Sequence, residues 1–459
     1  MFVKARPKRP PGPSLYELLN EPWLDDWYTS LELPLKLVRR YGEIVYIAAG
    51  KQYIVAGASS FEHILKTNAK NYTKSNPFYK RISWVFGKSL LMTDFEEWRH
   101  KRKISQPVFQ ANMMKNYVGV INQETESLIK SFSGSGHSTS SKPQRLNIFN
   151  SMTQLTLNIA LGLFCNQSLE PKQQRSLSRA IHFGNWYTSH HYWIHPYKPT
   201  ISNLRFFRHQ KNMNAILLGI IQERRAGRNR VADRTGDEAK ADLLHLLLTA
   251  PHETEDRLLN DQEILDEFKT ILLTGHETTS CALTWFWYIL AKHPEYRECI
   301  EAELETVLNN RAPTLDDLHH LPFLKAALSE SMRLYPPIWC ISRTNIEDDV
   351  VCGYDIPKGS LLTLNLYALH RNRQYFNEPD RFYPERFIKP SHPPFAYLPF
   401  SAGPRTCIAS HFGFIEAMLI AIQLLQTCRF SLTRKKPPTL EPCISLRPRG
   451  GLWMKQVRR

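Results

Sequence analysis

The amino-acid sequence predicts a mainly α protein with a smaller β region (α+β). Long, mostly apolar segments at residues 146–164, 261–291 and 408–426 are typical of buried helices. Two short segments, residues 43–47 and 52–56, alternate in polarity and are rich in side chains that favour strands. The glycine-containing turn between these two segments indicates a β-hairpin.

Composition limits the classes of protein to be considered. The chain has 459 residues, and 42% of them are hydrophobic, which is enough for a sizeable core. The net charge is +16, but the positive residues are spread out and no zinc-finger or RNA-binding signature accompanies them. We therefore expect a basic surface that faces an acidic partner, and no nucleic acid.

Cysteine usage and hydropathy indicate where the protein works. Eight cysteines are scattered without a C-x-x-C pair or zinc spacing, which favours reduced thiols. We find no run of about 18 apolar residues, so no transmembrane anchor is expected. The basic, proline-rich N-terminus lacks the apolar core of a secretory signal. We expect a soluble, cytoplasmic monomer.

One cysteine lies just before the third apolar segment. Backbone N–H groups and the helix dipole favour negative charge at a helix start, so Cys407 is pushed toward the thiolate that binds metals. Gly403 and Pro404 allow a tight turn, and Arg405 offers a fixed fork of donors for a carboxylate. The alternative is that Cys407 is an ordinary core cysteine.

The segment around Cys407 resembles the cysteine-ligand loop of the cytochrome P450 family, Phe-x-x-Gly-x-Arg-x-Cys-x-Gly. The matching residues are Phe400, Gly403, Arg405 and Cys407, and Ala409 replaces the second glycine. The resemblance implies haem b (iron protoporphyrin IX) bound through the Cys407 thiolate. It also implies the family's fold, a triangular-prism helical domain plus a small β-rich domain, with haem between the helix near 261–291 and the loop 400–407.

A second motif, Thr274–Thr279, lies within the predicted helix 261–291, which begins at a capping signal from Asn260 and Glu263. A glycine in mid-helix costs about 1 kcal/mol against alanine, and a buried unpaired carboxylate is also costly. Both residue types therefore require a reason there.

The motif resembles the family's Ala/Gly-Gly-x-Asp/Glu-Thr-Thr segment. The resemblance implies that Gly275 faces the oxygen pocket and that Glu277 and Thr278 relay protons to dioxygen. Thr274, which replaces the usual alanine, is expected to contact haem and substrate. The alternative for Thr278 is a hydrogen bond to a preceding carbonyl, as is common in helices.

Three arginines and a tryptophan are further candidates for binding haem. Trp98 and Arg102 share a helix face and suit an anionic group. They resemble the family's Trp-x-x-x-Arg motif, in which Phe95 replaces the usual glycine three residues before the tryptophan. The resemblance implies that Trp98, Arg102, Arg343 and Arg405 hold the propionates, and that Ile338, Trp339 and Ile341 line the substrate pocket.

Two further motifs have a structural meaning. Glu330 and Arg333 are three residues apart on a predicted helix, and Arg386 lies in Pro-Glu-Arg-Phe. Both motifs resemble family segments, which implies a buried charged network beneath the cysteine loop; the alternative is an exposed ion pair. Residues 182–208 are rich in histidine and aromatic side chains and suit a lid over an apolar pocket better than a metal site.

The resemblance runs from about residue 10 to the C-terminus and implies one catalytic domain over residues 1–459. Within it we expect a basic segment at 1–34, a β-rich part near 35–75 and 338–380, and helices elsewhere. No flavin or ferredoxin segment is present in the sequence, so two electrons must come from a separate donor. A basic proximal face with Arg99, Lys101 and Lys103 predicts an acidic ferredoxin, flavodoxin-like protein or reductase.

The predicted function is insertion of one oxygen atom from dioxygen into an apolar molecule: a fatty acid as first guess, a terpenoid, or a steroid-like compound. Alternatives are a peroxide-driven peroxygenase or isomerase and a non-catalytic haem protein. Such peroxygenases often lack the acid–alcohol pair that Glu277 and Thr278 form here. The aromatic segment also allows peripheral contact with a membrane.

Overall fold

A computed structural model describes residues 8–20, 31–47, 51–132, 144–190, 198–227 and 242–458. The chain divides into two compact units. The first unit comprises Met1–Trp84, Arg333–Phe382 and Pro390–Cys407, and the second comprises Val85–Met332, Tyr383–Lys389 and Ile408–Arg459. One catalytic domain over the whole chain stays a prediction.

The described residues are mainly helical. The α-helices are α1 (Leu15–Asn20), α2 (Glu32–Tyr41), α3 (Ala58–Glu62), α4 (Pro77–Phe86), α5 (Phe95–Ser105), α6 (Ala111–Phe132), α7 (Ile148–Cys165), α8 (Pro171–His190), α9 (Ile201–Arg225), α10 (Leu243–Thr249), α11 (Asp261–Lys292), α12 (Pro294–Leu308), α13 (Pro322–Leu334), α14 (Leu366–Leu369) and α15 (Ser410–Thr427).

The strands are short. They are β1 (Ile44–Ile47), β2 (Gln52–Val55), β3 (Tyr72–Thr73), β4 (Gln144–Asn147), β5 (Cys340–Asn345), β6 (Asp349–Val351), β7 (Tyr354–Ile356), β8 (Leu361–Asn365), β9 (Cys428–Leu432), β10 (Leu440–Pro442), β11 (Leu446–Pro448) and β12 (Trp453–Arg458). Long helices beside short strands confirm the predicted α+β class.

The first unit is built on a five-stranded sheet in the order β1-β2-β8-β5-β3. Strands β1 and β2 form the predicted antiparallel hairpin, although residues 48–50 of its turn lie outside the described residues. Strand β8 runs parallel to β2 and antiparallel to β5. The apolar core of this unit includes buried residues of β2 and β8, such as Val55 and Leu364.

The second unit is organised around α11, which packs against α7, α9, α10 and α15. Helix α7 is long and apolar enough to cross a membrane by length and composition, and 72% of it is buried inside the structure. Core helices meet the same criterion, so α7 is only a weak candidate for a membrane span. Two small sheets, β4-β12-β9 and β10-β11, complete this unit.

Helix α11 begins as the sequence predicts. The Asn260 side chain accepts hydrogen bonds from the backbone N–H groups of Gln262 and Glu263, and the Glu263 carboxylate accepts from the Asn260 N–H. This capping box satisfies N–H groups that a helix end otherwise leaves without partners. The last turn ends at Lys292, one residue beyond the prediction.

Asn260→Ala should lower the free energy of unfolding by about 1 kcal/mol, because it removes the side-chain cap of α11. Asn260→Asp should keep most of the stability, since aspartate caps helices about as well as asparagine. Denaturant unfolding of the three proteins would measure this difference. Equal stability of the wild type and Asn260→Ala would contradict the cap.

Candidate active site

Helix α11 is buried along almost its whole length, with one gap. From Ile264 to Leu290 every residue is buried except Thr274, Gly275 and Thr278. Thr274 and Thr278 are four residues apart and lie on the same helix face. The motif singled out in the sequence therefore coincides with the accessible positions of the central helix.

The threonines of this motif donate back to their own helix. The Thr278 hydroxyl donates to the Thr274 carbonyl at 2.7 Å, and the Thr274 hydroxyl donates to the Thr270 carbonyl at 2.7 Å. The carbonyl bond proposed as an alternative for Thr278 is thus present. It occupies the hydroxyl hydrogen but leaves the oxygen available as an acceptor, so the bond is compatible with a relay.

Gly275 lies against another helix. A Cβ placed on it would lie 3.7 Å from the Phe164 ring of α7, an ordinary van der Waals distance. Packing alone therefore does not require glycine at this position, and its role beside oxygen stays a prediction.

Glu277 is buried and held by two neutral side chains. Its Oε1 accepts hydrogen bonds from the Ser445 hydroxyl at 2.7 Å and from the Asn185 amide. Glu277 is 8% exposed. Neither Asn185 nor Ser445 was a sequence candidate, because nothing in the local sequence connects either residue to a position on α11.

The cysteine loop in the first unit has a fixed backbone. Gly403 takes φ +71°, and a Cβ on it would lie 1.8 Å from the Leu65 carbonyl oxygen, so only glycine fits. The Cys407 N–H donates to the Phe400 carbonyl at 2.9 Å, and Cys407 itself is exposed. The helix predicted to follow at Ile408 begins at Ser410, with Ala409 as its N-terminal cap.

Within each unit, the residues predicted to bind haem have suitable surroundings. An exposed cysteine on a rigid loop matches the requirement for a thiolate ligand. In the second unit, the Arg102 guanidinium lies 5.7 Å from the centre of the Trp98 ring. Both side chains line a pocket of about 420 Å³ that also contains Arg99 and Lys103. Such a basic pocket fits carboxylate groups.

Comparison with known proteins identifies the family. The family model described as "Cytochrome P450" matches residues 10–454. The chain belongs to the cytochrome P450 family. It is therefore a haem-thiolate monooxygenase that uses dioxygen, binds apolar substrates and needs a redox partner.

Curated relatives span most of this chain. "Cytochrome P450 4F6" of Rattus norvegicus is 31% identical over 415 residues, covering 85% of this chain and 76% of the relative. "Ultra-long-chain fatty acid omega-hydroxylase" of Homo sapiens is 29% identical, covering 85% and 76%. "Putative cytochrome P450 132" of Mycobacterium tuberculosis (strain CDC 1551 / Oshkosh) is 29% identical, covering 88% and 87%.

Phe95 takes a backbone conformation that glycine usually provides. It has φ +51°, in the left-handed region that favours glycine. The residue is 50% exposed, so its side chain projects largely into solvent. A glycine at this position, as in the family pattern, would therefore suit the same turn.

The remaining haem and pocket candidates lie in the first unit. Arg343 is buried and donates to the Ser342 carbonyl at 2.8 Å, and Arg405 is half-buried. Ile338 and Ile341 are half-buried and pack against the apolar core of this unit, whereas Trp339 is buried. Their contacts with haem or substrate stay predictions.

Each of the charged motif residues is anchored within its own unit. In the second unit, Arg386 Nε donates to the fully buried Glu330 carboxylate at 3.0 Å. In the first unit, Arg333 is fully buried and donates to the carbonyls of His370, Pro379 and Arg381. Glu330 is therefore not part of a mere exposed pair.

One part of the predicted basic face is wrong. Lys101 is not free for docking, because its ammonium donates to the buried Glu267 carboxylate at 2.8 Å and to the Lys88 carbonyl at 3.0 Å. Its side chain is only 14% exposed. Arg99 and Lys103 remain exposed, although Arg99 pairs with Glu96.

The described residues of the histidine-rich segment do not form a metal site. Among the described residues, no three histidine, cysteine, aspartate or glutamate side chains form a group able to hold a metal ion. Residues 191–197, which include His191 and His195, lie outside the described ranges.

Glu416 is a buried acid that the sequence analysis missed. It lies on α15, is 2% exposed, and accepts a hydrogen bond from the Thr279 hydroxyl at 3.1 Å. Burial raises the pKa of the Glu416 carboxyl to about 8, although the Thr279 bond opposes this shift. Its signal was visible, because Glu416 is the single acidic or basic residue, histidine aside, within Ser410–Thr427.

The raised pKa of Glu416 should make unfolding depend on pH. Between its ordinary value of 4.5 and about 8, the folded protein keeps a proton that the unfolded chain releases. The free energy of unfolding of the protein therefore falls as pH rises through this window, by about 1 kcal/mol per pH unit. Glu416→Gln removes this pH dependence, so the variant should become increasingly stable relative to the wild type from pH 5 to pH 8.

Urea unfolding at pH 5, 6.5, 8 and 9 would measure the difference between the two proteins. Glu298→Gln is a matched control on the exposed surface of α12 and should give no comparable trend. A stability difference between Glu416→Gln and the wild type that stays constant over this range would contradict the assignment.

Proposed function

We propose that this P450 hydroxylates a fatty acid, with a terpenoid or a steroid-like molecule as the other substrate classes, using electrons from a separate acidic donor. The observation that carries the proposal is the gap in the burial of α11. The accessible Thr274, Gly275 and Thr278 adjoin the buried acid Glu277. An accessible hydroxyl next to a held acid is what proton delivery to bound oxygen needs.

We assign haem b to the cysteine loop. Cys407 would be the thiolate ligand, with Trp98, Arg102, Arg343 and Arg405 toward the propionates. When bound, thiolate-ligated haem supplies the reductive activation of dioxygen that ends in oxygen insertion. The rigid turn at Gly403 supports this assignment, because it fixes where the Cys407 sulfur can lie.

The chain's own residues would manage protons and exclude water. Thr278 Oγ would accept a hydrogen bond from a water molecule, since its own hydrogen is engaged with the Thr274 carbonyl. Glu277, the residue that precedes Thr278 on the same helix, would supply the proton. The buried residues on either side of this gap would limit the access of water along α11, which favours proton delivery through Glu277 and Thr278.

The substrate class rests on two observations. The pocket candidates Ile338, Trp339 and Ile341 are apolar, and one relative carries the name of a fatty acid omega-hydroxylase. An extended apolar chain fits such a lining. Peroxide-driven chemistry is less favoured, because the acid–alcohol pair is retained.

The electron donor is proposed from charge. Arg99 and Lys103 are exposed on α5, so an acidic ferredoxin or flavodoxin-like protein would associate there in a salt-dependent manner. We also propose that the protein is cytoplasmic and monomeric, since its scattered cysteines suit a reducing compartment.

Incorporation of labelled dioxygen tests this function. The purified holoenzyme, with a plant-type ferredoxin and its reductase, is given saturated fatty acids, farnesol or cholesterol under ¹⁸O₂. We expect one ¹⁸O atom in a hydroxylated fatty acid for each two electrons consumed. Product formed from hydrogen peroxide at the same rate without electrons would support the peroxygenase instead.

Thr278→Ala should lower product per electron by roughly 10²-fold, the lower end of what positioned proton transfer contributes. Electrons should then leave as hydrogen peroxide. Thr278→Ser should restore most of the product, because it keeps the hydroxyl. Unchanged product yield in Thr278→Ala would exclude the relay role of this residue.

A further inference from the structure

Asn185 connects three parts of the second unit at one point. It lies on α8, and its amide nitrogen donates to Glu277 Oε1 on α11 and, at 3.1 Å, to the Ser445 hydroxyl. Its amide oxygen accepts from the Ile444 N–H at 2.8 Å. Ser445 lies between β10 and β11, so α8, α11 and the β10-β11 hairpin meet at the Asn185 amide.

The orientation of the Asn185 amide is determined by its partners. The Ile444 N–H can only donate, so the amide oxygen must face it. Both amide hydrogens then point to acceptors, namely the Glu277 carboxylate and the Ser445 oxygen. The Ser445 hydroxyl donates its own hydrogen bond to Glu277 Oε1. Each of these donors therefore has an acceptor. Asn185 is 4% exposed and Ser445 is 2% exposed.

The two oxygens of Glu277 are not equivalent. Both hydrogen bonds end on Oε1. Oε2 accepts none from the described part of the chain, and it is not among the fully buried atoms left without a partner. Glu277 is thus anchored through one oxygen and accessible through the other.

The anchor contains no positive charge. Within the described ranges Glu277 forms no ion pair, and the nearby Arg447 pairs with Glu441 at 2.7 Å. His182 is close to Arg447, at 3.4 Å, and burial lowers the pKa of its ring to about 4. The position of Glu277 is therefore set by the geometry of two neutral donors.

We propose that Asn185 and Ser445 are positioning residues that hold Glu277 Oε1 and direct Oε2 toward the proton path of the reaction. Through these two residues, α8 and the β10-β11 hairpin control coupling, the fraction of consumed electrons that yields hydroxylated product. The inference rests on the proposed function of Glu277 as the acid of the relay. In this proposal Asn185 and Ser445 act only through Glu277.

The test uses Ser445→Ala and Asn185→Leu in the holoenzyme, with the compound oxidised fastest in the substrate panel above. We expect product per electron to fall about ten-fold in each variant, a part of the roughly 10²–10⁴-fold that positioned proton transfer contributes. Electron consumption should stay within about two-fold. The solvent deuterium isotope effect on product formation should rise, because proton delivery becomes slower.

Two controls separate positioning from simple structural damage. Ser445→Thr keeps the hydroxyl and should restore coupling. Thr188→Val removes a buried hydroxyl from the same helix that donates to the Gly184 and Asn185 carbonyls, and it should leave coupling and the isotope effect unchanged. Equal losses in Thr188→Val and Ser445→Ala would overturn the proposal.

A measurement independent of turnover tests the contact itself. Ser445→Ala should lower Tm by about 1–3 °C, and this shift should at least halve when Glu277→Gln is also present, because the charged partner is gone. Additive shifts would show that Ser445 does not act on Glu277.

The outcomes distinguish this inference from the proposed function. If Glu277→Gln lowers coupling but Ser445→Ala and Asn185→Leu do not, the positioning role fails and the relay stands. If Glu277→Gln leaves coupling unchanged, the relay assignment fails and the positioning role fails with it. If no compound gives electron-dependent product, the proposed function fails, and additive Tm shifts would reject the contact as well.

Discussion

The burial of α11 is the constraint on which the second unit depends. Helix α11 is buried from Ile264 to Leu290 apart from three positions, so most of its polar side chains are kept from water, and several of them find partners on other segments. Thr270 donates to Ser89 at 2.7 Å, and Thr279 donates to Glu416 at 3.1 Å. These bonds draw loops and helices that are distant in sequence onto the central helix, and they leave accessible the gap at which we propose oxygen chemistry.

The same constraint produces acids in different surroundings. Glu267 is held by the Lys101 ammonium and the Leu90 N–H, Glu277 by two neutral side chains, and Glu416 by one hydroxyl. Glu267 therefore has a cation that compensates its buried charge, whereas Glu277 and Glu416 are held only by neutral donors. The surroundings of Glu277 are compatible with the proton-delivery role that we propose for it on α11.

The local signals in the sequence were sufficient for much of the fold. The apolar segments gave helix ends within about two residues, and the capping box of Asn260 and Glu263 is present. The glycine at position 403 was expected from a tight turn, and the structure adds the reason: the Leu65 carbonyl lies where a side chain would be. Such features depend on neighbours along the chain or on backbone conformation, which sequence patterns report well.

Partners distant in the chain were not predictable. Lys101 looked like part of a docking face, but its partner Glu267 is 166 residues away. Ser445 and Asn185 are 260 residues apart, and neither carries a local signal of its contact with Glu277. Glu416 was closer to detection, since an isolated acid in an apolar helix requires an explanation. The roles of these residues depend on contacts between segments that are distant in the chain, and no local pattern in a single sequence indicates such contacts.

The absorption spectrum of the reduced, carbon monoxide-bound protein tests the central claim most directly. Cys407→Ala would be compared with the wild type and with Cys299→Ala, which removes an exposed cysteine from α12. The account predicts the strongly red-shifted Soret band of thiolate ligation in the wild type and in Cys299→Ala, and its loss in Cys407→Ala. A red-shifted band that survives in Cys407→Ala, or an ordinary band in the wild type, would contradict haem ligation by this loop.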